Sequence, residues 1–205
     1  MQRIIVGFIG DIGSGKTTAA NYLERTCKFT SYAFADPLKK IGYIFGFTKE
    51  QLYGTQQEKM VINPWHGISG REFMEKFGTD VCREALPKII PNMPNIWVKL
   101  FKIFVTDYPR DHIVVSDVRF PDEADEIVKQ GGFLIKIIRP NVDKKNLREE
   151  SKSEQAKNDI TEHITIINDG DFEEFYKNIR KAIDSLFTKK FGKSFFRLVI
   201  LPLPY

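Results

Sequence analysis

The chain has 205 residues, 42% hydrophobic and 28% charged, with a formal charge of +4. That is long for a minimal domain and short for two full ones, so one domain with an insertion is expected, with enough apolar content for a real core. The positive charge comes from scattered Lys and Arg. It favours phosphate-bearing ligands and requires no nucleic acid partner. No apolar run approaches the ~20 residues that cross a bilayer, and Met1 lies almost directly on the first apolar run, so a soluble cytoplasmic protein is expected. Cys27 and Cys82 have no ligand spacing and read as small buried residues in a reducing compartment.

In chain order, Ile4–Ile9 is an apolar run that reads as a strand and stops at Gly10. Thr18–Leu23 reads as a helix, Phe29–Ala35 as a short strand, and Leu38–Phe45 as a helix with Pro37 in its first turn. The stretch from Phe47 to Gly70 is polar and broken by Pro64, and is expected to be a mobile insertion. A helix is predicted from Arg71 toward Leu86, closed by Pro87, and an amphipathic one over Asn95–Tyr108. His112–Asp117 reads as a buried strand, Pro121–Gln130 as a helix stopped by Gly131 and Gly132, and Phe133–Arg139 and Ile164–Ile167 as strands. Phe172–Phe187 closes the pattern as a helix. Strands alternating with helices predict an α/β fold, a parallel sheet with helices on both faces. The charged, apolar-poor stretch Pro140–Thr161 is expected to form a lid, and residues 188–205 a tail. Apolar Phe195–Tyr205 is a docking strand, a dimer contact or, in the preferred reading, packing.

Between the first strand and helix stands Gly10-Asp11-Ile12-Gly13-Ser14-Gly15-Lys16-Thr17, a complete G-x-x-x-x-G-K-[ST] phosphate loop followed by Thr18. Glycines let the backbone curl until its N–H groups point at a polyphosphate, and the helix N-terminus adds donors and partial positive charge. Lys16 is a point charge for the β- and γ-phosphates, and the Thr17 hydroxyl is a ligand for Mg²⁺. A nucleoside triphosphate is therefore the expected ligand of the loop.

Ligands of parallel sheets bind at the carboxyl ends of the strands, which gathers the loop, Asp36, Asp117 and Arg139. Asp117 ends an apolar strand in the layout of an acid that orients Mg²⁺, with a turn cap as the alternative. Arg119 lies two residues on. Its alternative is a surface ion pair. Arg71 and Arg83 share the helix after the insertion, twelve residues apart, hence about 120° from each other on an ideal helix. Guanidinium groups bind phosphate monoesters bidentately, so the pair suggests an acceptor that already carries phosphate; a solvated helix face is the plain alternative. Arg139, Arg148 and Lys152 border the expected lid, where a cation would close over the transferring group. Trp65 and Phe77 are candidates for base stacking, or for core. His66, His112 and His163 read as structural or surface groups.

Four segments together, G-D-I-G-S-G-K-T at 10–17, F-A-D-P-L-K at 34–39, G-R-E-F-M-E-K-F-G-T-D-V-C-R at 70–83 and V-S-D-V-R-F-P-D-E-A at 115–124, resemble the phage-type deoxynucleoside monophosphate kinases, also found in large DNA viruses. The likeness covers most of residues 4 to 187. It implies a P-loop kinase fold, phosphorylation of nucleoside monophosphates with ATP and Mg²⁺, a role in dNTP synthesis, and a homodimer. By the same resemblance Arg71 and Arg83 engage the acceptor nucleotide, while Asp36, Asp117, Arg119 and Glu123 line its pocket; Lys39 is a further candidate for substrate binding. The family often has His in an H-x-S-E sequence at the lid, where this chain has Ser151-Lys152-Ser153-Glu154. Two rivals remain: a kinase of another phosphorylated acceptor such as phosphomevalonate, which shares a similar loop and D-x-R strand end, and a non-enzymatic nucleotide switch.

Overall fold

The computed structural model describes residues 3–140 and 152–198. Phe34–Phe104 forms one compact unit, and the described residues on either side of it form the other.

The flanking unit is built on five parallel strands, β1 (Ile5–Ile9), β2 (Thr30–Tyr32), β3 (Ile113–Val115), β4 (Phe133–Ile138) and β5 (Ile164–Ile167), in the order β2-β3-β1-β4-β5. β1 is central and buried along its whole length, as its uninterrupted apolar sequence requires. Alternation divides its side chains between two layers. Ile4, Val6 and Phe8 join a core with Ala19, Ala20 and Leu23 of α1 (Lys16–Cys27) and Phe175, Ile179 and Ile183 of α10 (Phe172–Phe191). On the opposite face, a Cβ at Gly7 would lie within 3.1 Å of Ile127, Val118 and Leu134, so α8 (Pro121–Lys129) packs there almost against backbone. Helices thus cover both faces, as the alternating pattern predicts.

Phe195, in the short α11 (Phe195–Leu198), is fully buried against Phe29, His112 and Phe187, which bears out packing for the part of the tail within the described residues. Its approach is fixed by Asp184, which accepts from Ser194 Oγ and from Phe195 N, both at 2.7 Å.

The Phe34–Phe104 unit is helical: α2 (Ala35–Ile44), α3 (Lys49–Tyr53), α4 (Gln56–Lys59), α5 (Gly70–Glu75), a π-helical run (Lys76–Ala85), α6 (Leu86–Ile89) and most of α7 (Ile96–Asp107). Two of these helices lie inside the stretch read as an insertion. Local capping explains them: Thr48 with Gln51, and Thr55 with Glu58, exchange side chain-to-backbone bonds at the starts of α3 and α4. Phe45, Phe47, Phe73 and Phe77 form an aromatic cluster, with Phe73 and Phe77 stacked at 5.2 Å. Pro87 does not close the helix after Arg71. It occupies the first turn of α6, where its missing N–H is tolerated.

Candidate active site

The loop after β1 has the conformation a phosphate cradle requires. Gly10, Gly13 and Gly15 all have positive φ. At Gly15 (φ 108°) a Cβ would come within 2.7 Å of Asn168 Nδ2 and 3.2 Å of Phe175, and at Gly10 it would strike the Ile137 carbonyl. No other residue type fits either position without displacing backbone or core. Lys16 opens α1, and its ammonium donates to the carbonyls of Gly10 and Asp11, both at 2.7 Å, which holds the charge across the loop. Ser14 N donates to Asp11 O, closing the turn, and the Ser14 hydroxyl is buried with no partner among the described residues. Thr17 is exposed and Thr18 half-buried on the first turn of α1.

Parallel strands bring their carboxyl ends to one rim. Asp117 follows β3, between Ser116, whose N–H bonds Tyr32 O, and Val118, whose N–H bonds Phe8 O at 3.2 Å. Those bonds set the Asp117 segment beside the end of β1, where the loop begins. Glu123 is buried, and its Oε2 accepts from Arg119 N at 2.9 Å and Phe120 N at 3.2 Å. The carboxylate caps α8 and fixes the turn that carries Asp117 and Arg119. Arg139 lies exposed just past β4, and Lys152 is exposed at the start of α9 (Lys152–Ala156). Arg148 and residues 141–151 of the expected lid lie outside the described residues. Among the described residues no cluster of three or more His, Cys, Asp or Glu has the form of a metal cage. A hydroxyl and a carboxylate, Thr17 and Asp117, are nevertheless the donors that suit Mg²⁺, which keeps most of its water and takes few protein oxygens.

In the helical unit, Asp36 and Lys39 share the first turns of α2, with Lys39 Nζ 3.3 Å from Asp36 Oδ1 and 4.3 Å from the Tyr53 ring centre. Burial pushes the Tyr53 phenol up, and Asp36 and Tyr43 add to it. Trp65 is 87% exposed, on a turn organised by buried Asn63, whose Oδ1 accepts Trp65 N and whose amide donates to Gly46 O. Phe77 instead belongs to the aromatic cluster.

Arg71 is held by Glu75 at 3.1 Å and by Gln56 at 3.2 Å. Arg83 is half-buried in the π-helical run. That run corrects the expected separation. A π-helical turn closes on i→i+5 bonds and holds more residues than an α-helical one, so the 120° of an ideal α-helix does not apply across this run. The π-helix is held from outside: buried Trp97 donates its indole N–H to the Gly78 carbonyl at 3.0 Å, and Leu38 packs where a Gly78 side chain would stand, 2.5 Å from its Cβ position.

Residues 45–179 match the deoxynucleotide monophosphate kinase family. The chain is also 38% identical, over 190 residues, to a protein of Acanthamoeba polyphaga mimivirus provisionally named a deoxynucleotide monophosphate kinase, a match covering 89% of this chain and 97% of that one. The chain belongs to the deoxynucleotide monophosphate kinase family. Solved structures similar in fold are the shikimate kinase of Aquifex aeolicus VF5 (14% identical, TM-score 0.49, covering 93% of this chain and 100% of that one) and the dephospho-CoA kinase of Campylobacter jejuni (14%, 0.45, 92% and 100%).

As a member of the deoxynucleotide monophosphate kinase family the protein is a phosphotransferase acting on nucleotide monophosphates, with ATP use implied by kinase membership. Two residues beside the phosphate loop of this kinase escaped the sequence reading. Asn168, just past β5, donates its amide to Ser14 O at 2.8 Å. Lys157, buried in the 3₁₀ turn after α9, sits 2.7 Å from the Asp11 carboxylate. The strand-end rule that selects Asp117 selects Asn168 equally well. Lys157 lies in a charged stretch with no periodic signal, and nothing local marks it out.

Proposed function

We propose that the protein transfers the γ-phosphoryl group of ATP, with Mg²⁺, to a deoxynucleoside 5′-monophosphate, and so supplies diphosphates for dNTP synthesis in the cytoplasm. The observation that carries the donor half is the glycine loop with Lys16 bridging the Gly10 and Asp11 carbonyls at its mouth. In this reading the loop N–H groups and the first turn of α1 bind the β- and γ-phosphates, and Lys16 neutralises charge that builds up in transfer. Thr17 and Asp117 would hold Mg²⁺, which neutralises charge on the phosphates when bound. Asn168, by bonding Ser14 O, keeps the loop in shape. Arg139 stands at the rim as a further cation for the transferring group, a role also proposed for Arg148.

The acceptor half rests on Arg71 and Arg83. Two guanidinium groups on one helical segment suit a two-pronged grip on the acceptor phosphate, with Asp36, Lys39 and Trp65 of the same unit as further nucleotide contacts and Arg119 proposed for the nucleotide as well. Glu123 positions Arg119 through the turn it caps. No general base is needed, because a phosphate monoester oxygen is already ionised at pH 7. Catalysis is then positioning plus charge neutralisation. Family membership favours a nucleotide acceptor over phosphomevalonate, and an enzyme over a switch. The homodimer proposed with this function finds support in Ile44 (84% exposed), Val61 and Ile62, apolar side chains left in water on the helical unit.

Replacing Arg71 or Arg83 by Lys keeps the charge and removes the bidentate fork. The monophosphate KM should rise about 10- to 100-fold, the effect of losing a charge-assisted bond of about 1.5–3 kcal/mol, and the ATP KM should change by less than about threefold. A coupled ADP-release assay over a panel of ribo- and deoxynucleoside monophosphates reads both numbers. Equal KM values for wild type and both variants would remove the two arginines from the acceptor site.

A further inference from the structure

A phosphate-binding loop is a poor place for a carboxylate. Asp11 stands second in it, its backbone carbonyl bonded to Lys16 and its side chain 44% exposed. A full negative charge there opposes a triphosphate, because two unit charges several ångströms apart near a protein surface interact by about 1 kcal/mol or more. Across the sequence and close in space, Lys157 places its ammonium 2.7 Å from Asp11 Oδ1. The Lys157 side chain is only 9% exposed. Burying a lysine costs several kcal/mol unless it is paired, so its position is itself a sign that the pair is maintained. The turn that carries it is fixed, since Ile160 N bonds Lys157 O and the Ile160 side chain is buried.

We propose that Lys157 is a positioning residue for the donor nucleotide that acts through Asp11: it cancels the loop's own carboxylate, so the anion-binding N–H groups and Lys16 meet the triphosphate without an opposing charge. This rests on the reading of the loop as the ATP site. Exposed ion pairs contribute little. This one differs because its lysine is buried and its acid belongs to the loop that binds the anion. The pair is an electrostatic device of the site, and stability is its lesser effect.

Three variants read the charge apart from the shape. Lys157→Met keeps most of the buried stem and removes the ammonium from beside Asp11; the ATP KM should rise about tenfold, with the monophosphate KM within about twofold of wild type. Asp11→Asn removes the opposing charge and leaves the lysine; its ATP KM should be no higher than wild type. The double variant removes both charges and should return the ATP KM to within about threefold of wild type, the non-additivity expected of a coupled pair. An unchanged ATP KM in Lys157→Met overturns the proposal. So does an Asp11→Asn or double variant with an ATP KM raised as far as in Lys157→Met, since the pair would then hold the loop's shape and not its charge. Should Lys157→Met fail to fold, Asp11→Asn and the double variant decide the matter against wild type alone: an ATP KM within about threefold of wild type in both keeps the proposal, and one raised about tenfold in either overturns it. If wild-type protein and Lys16→Ala bind ATP equally in direct titration, the loop reading itself has failed, and the two failures are thereby separated.

Discussion

The sheet unit and the helical unit hold their candidate site residues in different ways. In the sheet unit the backbone does the placing. The loop, Asp117, Arg139 and Asn168 all follow the carboxyl ends of parallel strands, and ladder registers such as Val6 opposite Val114 and Phe133 fix where those ends fall. In the helical unit the helices are short, and the candidate side chains depend on helix phase. The angle between Arg71 and Arg83 is set by the π-helical run that starts between them, held by one indole bond from Trp97 and the close seat of Leu38 against Gly78. A site set by strand register is insensitive to single contacts. One set by phase depends on them, because a change of one hydrogen-bond type rotates everything downstream.

The contrast is tested most severely at Lys16. Lys16→Ala should lower kcat by about 100-fold or more while circular dichroism and the thermal midpoint stay near wild type, since the side chain bridges loop carbonyls and fills no core. Near-native turnover would show that the sheet unit's rim is not where transfer occurs. A smaller effect sharpens the other side. Trp97→Phe keeps the ring in place and deletes the bond to Gly78 O. It should raise the monophosphate KM about three- to tenfold and leave the ATP KM unchanged, and in an Arg83→Lys background it should add little. If both KM values move together, or neither moves, phase control of the acceptor side is wrong.

The smallest expected effect is on stability and belongs to the sheet unit. His112 is buried between Phe29 and Phe195, and its Nδ1 accepts the Ile4 N–H. Burial holds its pKa below the ordinary value, with nearby Asp111 opposing that shift. The His163 ring, whose Nδ1 accepts Leu134 N, is lowered too, by burial and by Lys190 and Lys189. A group that the fold keeps neutral takes up its proton more readily in the unfolded chain. Stability is therefore undiminished above pH ~6.5 and falls as pH drops below the unfolded pKa toward the folded one. The unfolding free energy from denaturant titrations at constant ionic strength should decline on the order of 1 kcal/mol between pH 7.5 and 5.5. A flat profile would mean that both rings accept a proton in place.

Much of this was legible beforehand. The phosphate loop, five strands and the helices that alternate with them follow from apolar runs and glycine punctuation, and helix boundaries moved by only a few residues: α2 starts at Ala35 and α10 runs on to Phe191. The capped helices inside 47–70 were missed although Thr48 with Gln51 and Thr55 with Glu58 are visible capping boxes. The polar composition and Pro64 mask them, and helices this short have no apolar period. The role of Glu123 as a cap was equally local and readable three residues after Phe120.

By itself the sequence determined the chemistry of the loop, because cradle, lysine and hydroxyl lie within eight consecutive residues and their geometry is set by local backbone freedom. It also determined the fold class, since period and turn residues are properties of neighbours along the chain. Only tertiary structure decided that Lys157 faces Asp11, that Asn168 bonds Ser14, and that Trp97 holds a π-helical turn between Arg71 and Arg83. Each of those contacts joins residues far apart in the chain or overrides the default α-helical hydrogen bond. No local propensity encodes such a choice. The packing of whole elements makes it.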